Sequence, residues 1–145
     1  MPLHLKDDLA EVDVGVLAGK PYDSMQTEYP DFMEEFKQNP ATTRFPDGET
    51  LTEVRQRALA VVDRIRREQG DEGTIAVVSH NICLRVMALG LLGWVWEVLW
   101  QLALDPAAYS LLSLPRGKPA VLVGWNETAH LGTMPKLKPS GLLGL

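Results

Sequence analysis

The sequence predicts an α/β domain of three layers, and three observations predict it. Residues 75–78 (Ile-Ala-Val-Val) are apolar without a break and rich in β-branched side chains. Such a run reads as a strand buried on both faces, which needs helices above and below it. The run stops at Ser79-His80-Asn81, and helical spacing follows at Ile82, Val86 and Leu89. Two later apolar runs, 109–114 and 120–125, flank Pro115-Arg116-Gly117-Lys118-Pro119 and predict a β-hairpin near the C-terminus.

Taken in order, residues 1–20 read as an irregular opening segment. Leu9-Ala10-Glu11-Val12-Asp13-Val14-Gly15 alternates only weakly, and Gly15 and Gly19 punctuate it. From Tyr22 to Lys37, Met25, Tyr29, Phe32, Met33 and Phe36 fall at helical spacings, as one helix or two short ones. Pro30 predicts a break near Tyr29. A packing or lid role accounts for these aromatics. Residues 39–48 are loop. Thr50 and Glu53 then form a capping box at the head of a helix. Leu51, Val54, Ala58, Val61, Val62 and Ile65 make its apolar stripe, Arg55, Arg57, Arg64 and Arg66 read as its solvated face, and Gly70 stops it. Residues 86–104 are almost wholly apolar, but Gly90, Gly93, Glu97 and Gln101 interrupt them. Two packed helical pieces fit better than a membrane span. The expected domain is 1–131, with 132–145 a loosely ordered tail.

A chain of 145 residues suffices for one domain, and 46% hydrophobic with 23% charged residues is an ordinary globular composition. The net charge of −5, without a long basic run, argues against nucleic acid or an anionic membrane surface as partner. Cys83 is the only cysteine, which excludes an intrachain disulfide and a cysteine metal cluster. It fits a cytoplasmic location, as does an N-terminus that begins no signal peptide. His4, His80 and His130 lack metal-ligand spacing, so no metal is expected.

The chemistry concentrates at the strand-to-helix junction. In an open α/β sheet ligands bind at the carboxyl ends of strands. The free N–H groups of a helix N-terminus suit an anion such as phosphate. His80 at that point can hydrogen-bond a phosphoryl oxygen or exchange a proton near neutral pH, with Asn81 beside it. Glu49 follows a turn and precedes the helix cap. It serves either as a helix-dipole partner or as an acid that moves protons beside a pocket.

Together these landmarks resemble the histidine phosphatase superfamily, the phosphoglycerate-mutase-like fold. Residues 9–19 resemble its L-x-E-x-x-x-G-x-x-x-G segment. Phe45-Pro46-Asp47-Gly48-Glu49-Thr50 resembles its P-x-G-E-S/T turn, with Arg57 matching the arginine that follows. Val77-Val78-Ser79-His80-Asn81 with Arg85 is similar to its V-S-H-G/N-x-x-x-R motif. Ser110 and the hairpin match its late strands, and Asn126-Glu127-Thr128-Ala129-His130-Leu131 resembles its N-x-x-H-L ending. The resemblance implies phosphomonoester hydrolysis or phosphoryl transfer through a phosphohistidine. It makes His80 the histidine that steadies the transferring phosphoryl, Asn81 its neighbour in phosphate binding, and Glu49 the acid that protonates the leaving oxygen. Its implied ligand is a small phosphomonoester or inorganic phosphate, and no organic cofactor is implied.

One departure is large. The family's nucleophile sits in an R-H-G tripeptide, and none occurs in this sequence. The chain thus reads as a family member that starts late, N-terminally incomplete, with little or no turnover. The strand count agrees, since nothing up to Gly70 reads as a clear strand. A homodimer could cover the open sheet edge, which leaves a non-catalytic, self-associating phosphate-binding module as the alternative.

Overall fold

The computed structural model describes residues 3–70 and 73–132. The opening segment is irregular, with single 3-10 turns at Asp7–Leu9 and Gly15–Leu17. Two short helices follow, α1 (Tyr22–Glu28) and α2 (Pro30–Gln38). They part at Tyr29, whose φ of −133° and ψ of 54° lie outside the helical region. Pro30 disfavours helical backbone in the residue before it and is itself well placed as a first helical residue. The aromatics of this stretch are core. Phe32, Phe36 and Phe45 pack with ring centroids 5.0–5.6 Å apart, and Trp100 meets Phe36 edge-on.

Helix α3 (Leu51–Gln69) opens on the expected capping box. Thr50 Oγ1 accepts from the Glu53 amide (3.2 Å), and Glu53 Oε2 accepts from the Thr50 amide (2.8 Å). It buries Leu51, Val54, Ala58, Val61 and Val62, and ends at Gly70, where φ is +76°. Helix α4 (Asn81–Leu92) buries most of its length and packs on α3. Gly90 makes the close approach possible, since a Cβ there would stand 2.7 Å from Leu59 Cδ1. Gly93 ends α4, and a 3-10 turn at Trp96–Gln101 follows. The apolar stretch 86–104 is therefore two packed pieces. Among the described residues no helix is long and apolar enough to cross a membrane.

Strands β1 (Tyr109–Ser113) and β2 (Val121–Glu127) form the expected antiparallel hairpin, Tyr109 opposite Glu127 and Ser113 opposite Val121, with irregular register between. Leu114 and Trp125 pack against the core. Tyr109, Leu111, Val121 and Val123 face outward and are at least half exposed.

The expected central strand differs. Residues 74–80 are not part of a sheet, and no backbone hydrogen bond holds 74–78 among the described residues. Ile75 is 47% exposed and Val78 91%. The β-branched run predicts an unpaired, open segment as readily as a strand, because burial comes from neighbours and no described strand lies beside it. The tail expectation falls on residues 133–145, outside the described residues, apart from Gly132, which closes a 3-10 turn at Ala129–Leu131.

Candidate functional site

The turn that carries Glu49 is stitched to the opening segment. The Glu49 amide donates to Asp13 O (2.9 Å), the Val16 amide to Pro46 O (3.0 Å), and the Asp13 amide returns a bond to Glu49 Oε2 (3.0 Å). Two glycines permit this approach. A Cβ on Gly48 would collide with the Asp13 carbonyl, and one on Gly15 with the Pro46 carbonyl.

Arg57 then seizes the carboxylate. It stands on α3 one residue before buried Ala58, so its stem runs along the edge of the apolar stripe. Its Nε donates to Glu49 Oε1 and its Nη2 to Glu49 Oε2, both at 2.9 Å. The remaining donors go to the carbonyls of Asp8 and Ala10 (2.8 Å each) and Glu11 (3.0 Å). All five guanidinium N–H groups are used. The solvated reading of the helix arginines therefore fails at Arg57, whose side chain is 19% exposed. Burial pushes the Glu49 carboxyl up, but the Arg57 hydrogen bonds, the Asp13 amide and the Arg57 charge outweigh it. Together they hold it below the ordinary glutamate range.

Glu11 does the corresponding work at α4. Its Oε2 accepts from the Ile82 amide and its Oε1 from the Cys83 amide, both at 3.0 Å, and from its neighbour Val12. Two of the first-turn N–H groups expected to be open to phosphate are thus occupied by a carboxylate of the chain itself. Ser79 Oγ donates to Leu9 O (2.6 Å) and ties the junction to the same segment. Asn81 is also committed, since its Nδ2 donates to Leu104 O and its Oδ1 accepts from Arg85, both at 3.2 Å. Buried Arg85 donates in turn to Leu99 O. The Cys83 thiol is buried and pushed up by that burial.

His80 is the exception. It occupies the N-cap position of α4 with extended backbone, its side chain makes no cap bond, and it is exposed. Among the described residues its imidazole has no hydrogen-bond partner, while Ser79, Asn81 and the amides of Ile82 and Cys83 are all engaged. The structure thus joins Glu49 and the His80 junction through Arg57 and Glu11. It puts His130 elsewhere, against Ala107 O and the Tyr109 ring. No group of three or more His, Cys, Asp or Glu among the described residues is placed to hold a metal ion.

Glu11 is the site residue that sequence reasoning passed over. Its signals were its place in the weakly alternating 9–15 segment and as the glutamate of the L-x-E-x-x-x-G likeness, and the contact that matters reaches 71 residues along the chain.

The profile of the histidine phosphatase superfamily (branch 1) matches residues 1–128. Phosphoserine phosphatase 1 of Hydrogenobacter thermophilus is 28% identical over 127 residues, which are 88% of this chain and 59% of that protein. The probable phosphoglycerate mutase GpmB of Yersinia pestis is 28% identical over 134 residues, 89% of this chain and 61% of that one. The chain thus spans about three fifths of the length of these curated relatives. Among solved structures, Bacillus stearothermophilus YhfR superposes with a TM-score of 0.76 at 22% identity, over 87% of this chain and 62% of that one. A phosphoserine phosphatase mutant from Entamoeba histolytica, in complex with phosphoserine, superposes with a TM-score of 0.75 at 20% identity, over 90% and 65%. These likenesses show the fold, an α/β fold shared with these proteins.

Proposed function

Because the chain belongs to the histidine phosphatase superfamily, we propose that its His80–Glu49 region handles the phosphoryl group of a small phosphomonoester. Phosphatases and a mutase among its relatives support phosphomonoester hydrolysis or phosphoryl transfer. The observation that carries this reading is His80, exposed and without a hydrogen-bond partner among the described residues, in a junction where Ser79, the Asn81 side chain and the Ile82 and Cys83 amides are all engaged. A neutral or protonated imidazole there donates to a phosphoryl oxygen and offsets charge that builds in transfer. Glu49 gives its proton to the leaving oxygen. The chain's own geometry favours the carboxylate, so Glu49 takes up a proton from solvent as the substrate dianion binds, because that charge raises the proton affinity of a nearby carboxyl. The sequence carries no R-H-G tripeptide to supply the nucleophile, so this chain alone binds phosphate and turns over little or none.

The test is phosphate binding beside turnover. Added inorganic phosphate or vanadate should shift the His80 imidazole NMR signals, His80→Ala should remove the binding, and p-nitrophenyl phosphate hydrolysis should stay near background. Phosphate binding that survives His80→Ala would sink the reading.

A second reading, a phosphate-binding module closed by self-association, draws on exposed Ile75 and Val78 and on the outward face of the hairpin. A dimer in sedimentation velocity supports it, and a monomer throughout the micromolar range removes it.

A further inference from the structure

We propose that Arg85 is a specificity-determining residue of the His80 junction, a buried positive charge without an ion-pair partner that draws a phosphate dianion to the N-terminal end of α4. The inference rests on the reading that His80 handles a phosphoryl group. It adds the source of the attraction.

An acidic chain that takes phosphate needs positive charge close to the site, because a net charge of −5 repels the ligand. Three arginines are spent on carboxylates of the chain. Arg57 is forked onto Glu49, Arg44 is paired with Glu53 and Arg64 with Asp8. An ion pair is nearly neutral when felt from a distance. At the head of α4, the Ile82 and Cys83 amides already donate within the chain.

Arg85 differs. It is 7% exposed, and among the described residues no carboxylate forms an ion pair with it. Its hydrogen bonds go to neutral acceptors, Nη1 to Asn81 Oδ1 (3.2 Å) and Nη2 to Leu99 O (2.6 Å). Its Nε is buried with no acceptor among the described residues, and so is Nε1 of Trp100. The two side chains are neighbours, with Arg85 Cζ 5.6 Å from the Trp100 ring centroid. The carbonyl, the amide oxygen and the ring ease the desolvation of the cation without cancelling its charge. Burial pushes the Arg85 pKa down, and the charge of Glu11 pushes it back up through space. A guanidinium keeps its proton at neutral pH under both influences.

The place of this charge gives it a use. Arg85 follows Asn81 at the i, i+4 spacing of α4, so the two share one face of the helix and are bonded there. Asn81 follows His80, the N-cap. The guanidinium therefore stands on the protein side of the junction, while His80 is exposed to solvent. A phosphate at His80 meets the imidazole directly and feels Arg85 through the interior. A buried charge is screened far less by salt and water than an exposed one. An apolar side chain of similar length would be more stable at position 85 than an isolated cation. A bound dianion offsets that cost.

The test is a titration with inorganic phosphate, followed at the His80 imidazole NMR signals, in wild type, Arg85→Met and Arg85→Lys, with folding checked by circular dichroism. Arg85→Met keeps an unbranched apolar stem and drops the charge. It should weaken phosphate binding about tenfold. Arg85→Lys keeps the charge but not the planar set of donors, and its affinity should stay within about threefold of the wild type. This rescue separates charge from architecture, because a residue that served only to hold Asn81 and Leu99 O would lose its function in both variants. Wild-type affinity in folded Arg85→Met would overturn the inference. Equal losses in folded Arg85→Met and Arg85→Lys would also overturn it, by assigning the effect to the hydrogen bonds. If Arg85→Met does not fold, Arg85→Gln, neutral with one donor group, takes its place with the same outcomes. If neither neutral variant folds, Arg85→Lys decides: affinity kept within about threefold supports the inference, and a tenfold loss overturns it. Failure of the phosphate reading itself shows separately, as wild-type His80 signals that do not respond to phosphate.

Discussion

At the scale of the residue, the Glu49–Arg57 pair ties stability to pH. The Glu49 carboxyl lies lower in the folded chain than in an unfolded one, so the unfolded state takes up protons first as pH falls. Its contribution is present above the ordinary glutamate value of 4.5 and is lost as pH drops through the folded value. Glu53 behaves likewise, pulled to about 2 by Arg44 and by the two Thr50 bonds of the capping box. Urea unfolding of the wild type should therefore show stability declining from about pH 4.5. Arg57→Ala should cost about 2 kcal/mol at neutral pH, a figure discounted for side chains 19% and 26% exposed. It should also flatten the acid decline, because Glu49 loses its partner while Glu53 keeps its own. A wild-type decline no steeper than the variant's would show that the pair does not hold Glu49 low. The sequence displayed Glu49 and His80 because short motifs surround them. Arg57 stood out only through the motif it matches after that turn; helical spacing alone hid it among five arginines from Arg55 to Arg67, since the carbonyls that use its donors lie 46–49 residues away.

At the scale of the element, legibility followed range. The α1/α2 break, the capping box, the Gly70 stop and the hairpin all arise from residues close in sequence, and each stands where local chemistry placed it. The segment 74–78 read as a buried strand, but pairing and burial depend on what lies beside it, and it stands outside any sheet with Val78 91% exposed. The turn 45–49 lies between these cases. Its glycine was readable as a turn residue, but its fit against another backbone was not. Gly48 faces the Asp13 carbonyl with no room for a Cβ. Gly48→Ala should therefore force the turn off the opening segment and cost about 2 kcal/mol or more. Gly19→Ala, where open space surrounds the Cβ position but φ is +74°, should cost about 1 kcal/mol, from backbone strain alone. Thermal unfolding of the two variants ranks them, and equal losses would mean that the close approach of 13–16 to 46–49 is not what requires Gly48.

At the scale of the whole molecule, the core and the surface obey different demands. The core gathers α1 to α4 and the inner face of the hairpin around Phe36, Phe45, Leu51, Val54, Ile82 and Leu89, all fully buried. The opposite side of the hairpin and the 74–78 segment carry apolar side chains into solvent: Ile75, Val78, Tyr109, Leu111, Val121 and Val123. The two are joined at one end. Asn81 donates to Leu104 O, while Asn126 of β2 bonds the amide and carboxylate of Asp105 next to it. A shared anchor at 104–105 puts the end of the 74–80 segment and the end of β2 near one another. Water against that much apolar surface favours its burial. The net charge of −5 opposes contact between copies, and salt screens it. Self-association through these exposed apolar groups should therefore strengthen with added salt, and a charge placed among them should weaken it. Val78→Asp removes an apolar group that is 91% exposed and has no packing to lose, so folding stability should change by less than about 0.5 kcal/mol. Sedimentation velocity should then show a concentration-dependent wild type, stronger at high salt, and a Val78→Asp protein that stays monomeric with an unchanged circular dichroism spectrum. Association that persists in Val78→Asp would move the contact off the 74–78 segment. Association that weakens with salt would assign it to charge pairs instead of apolar burial.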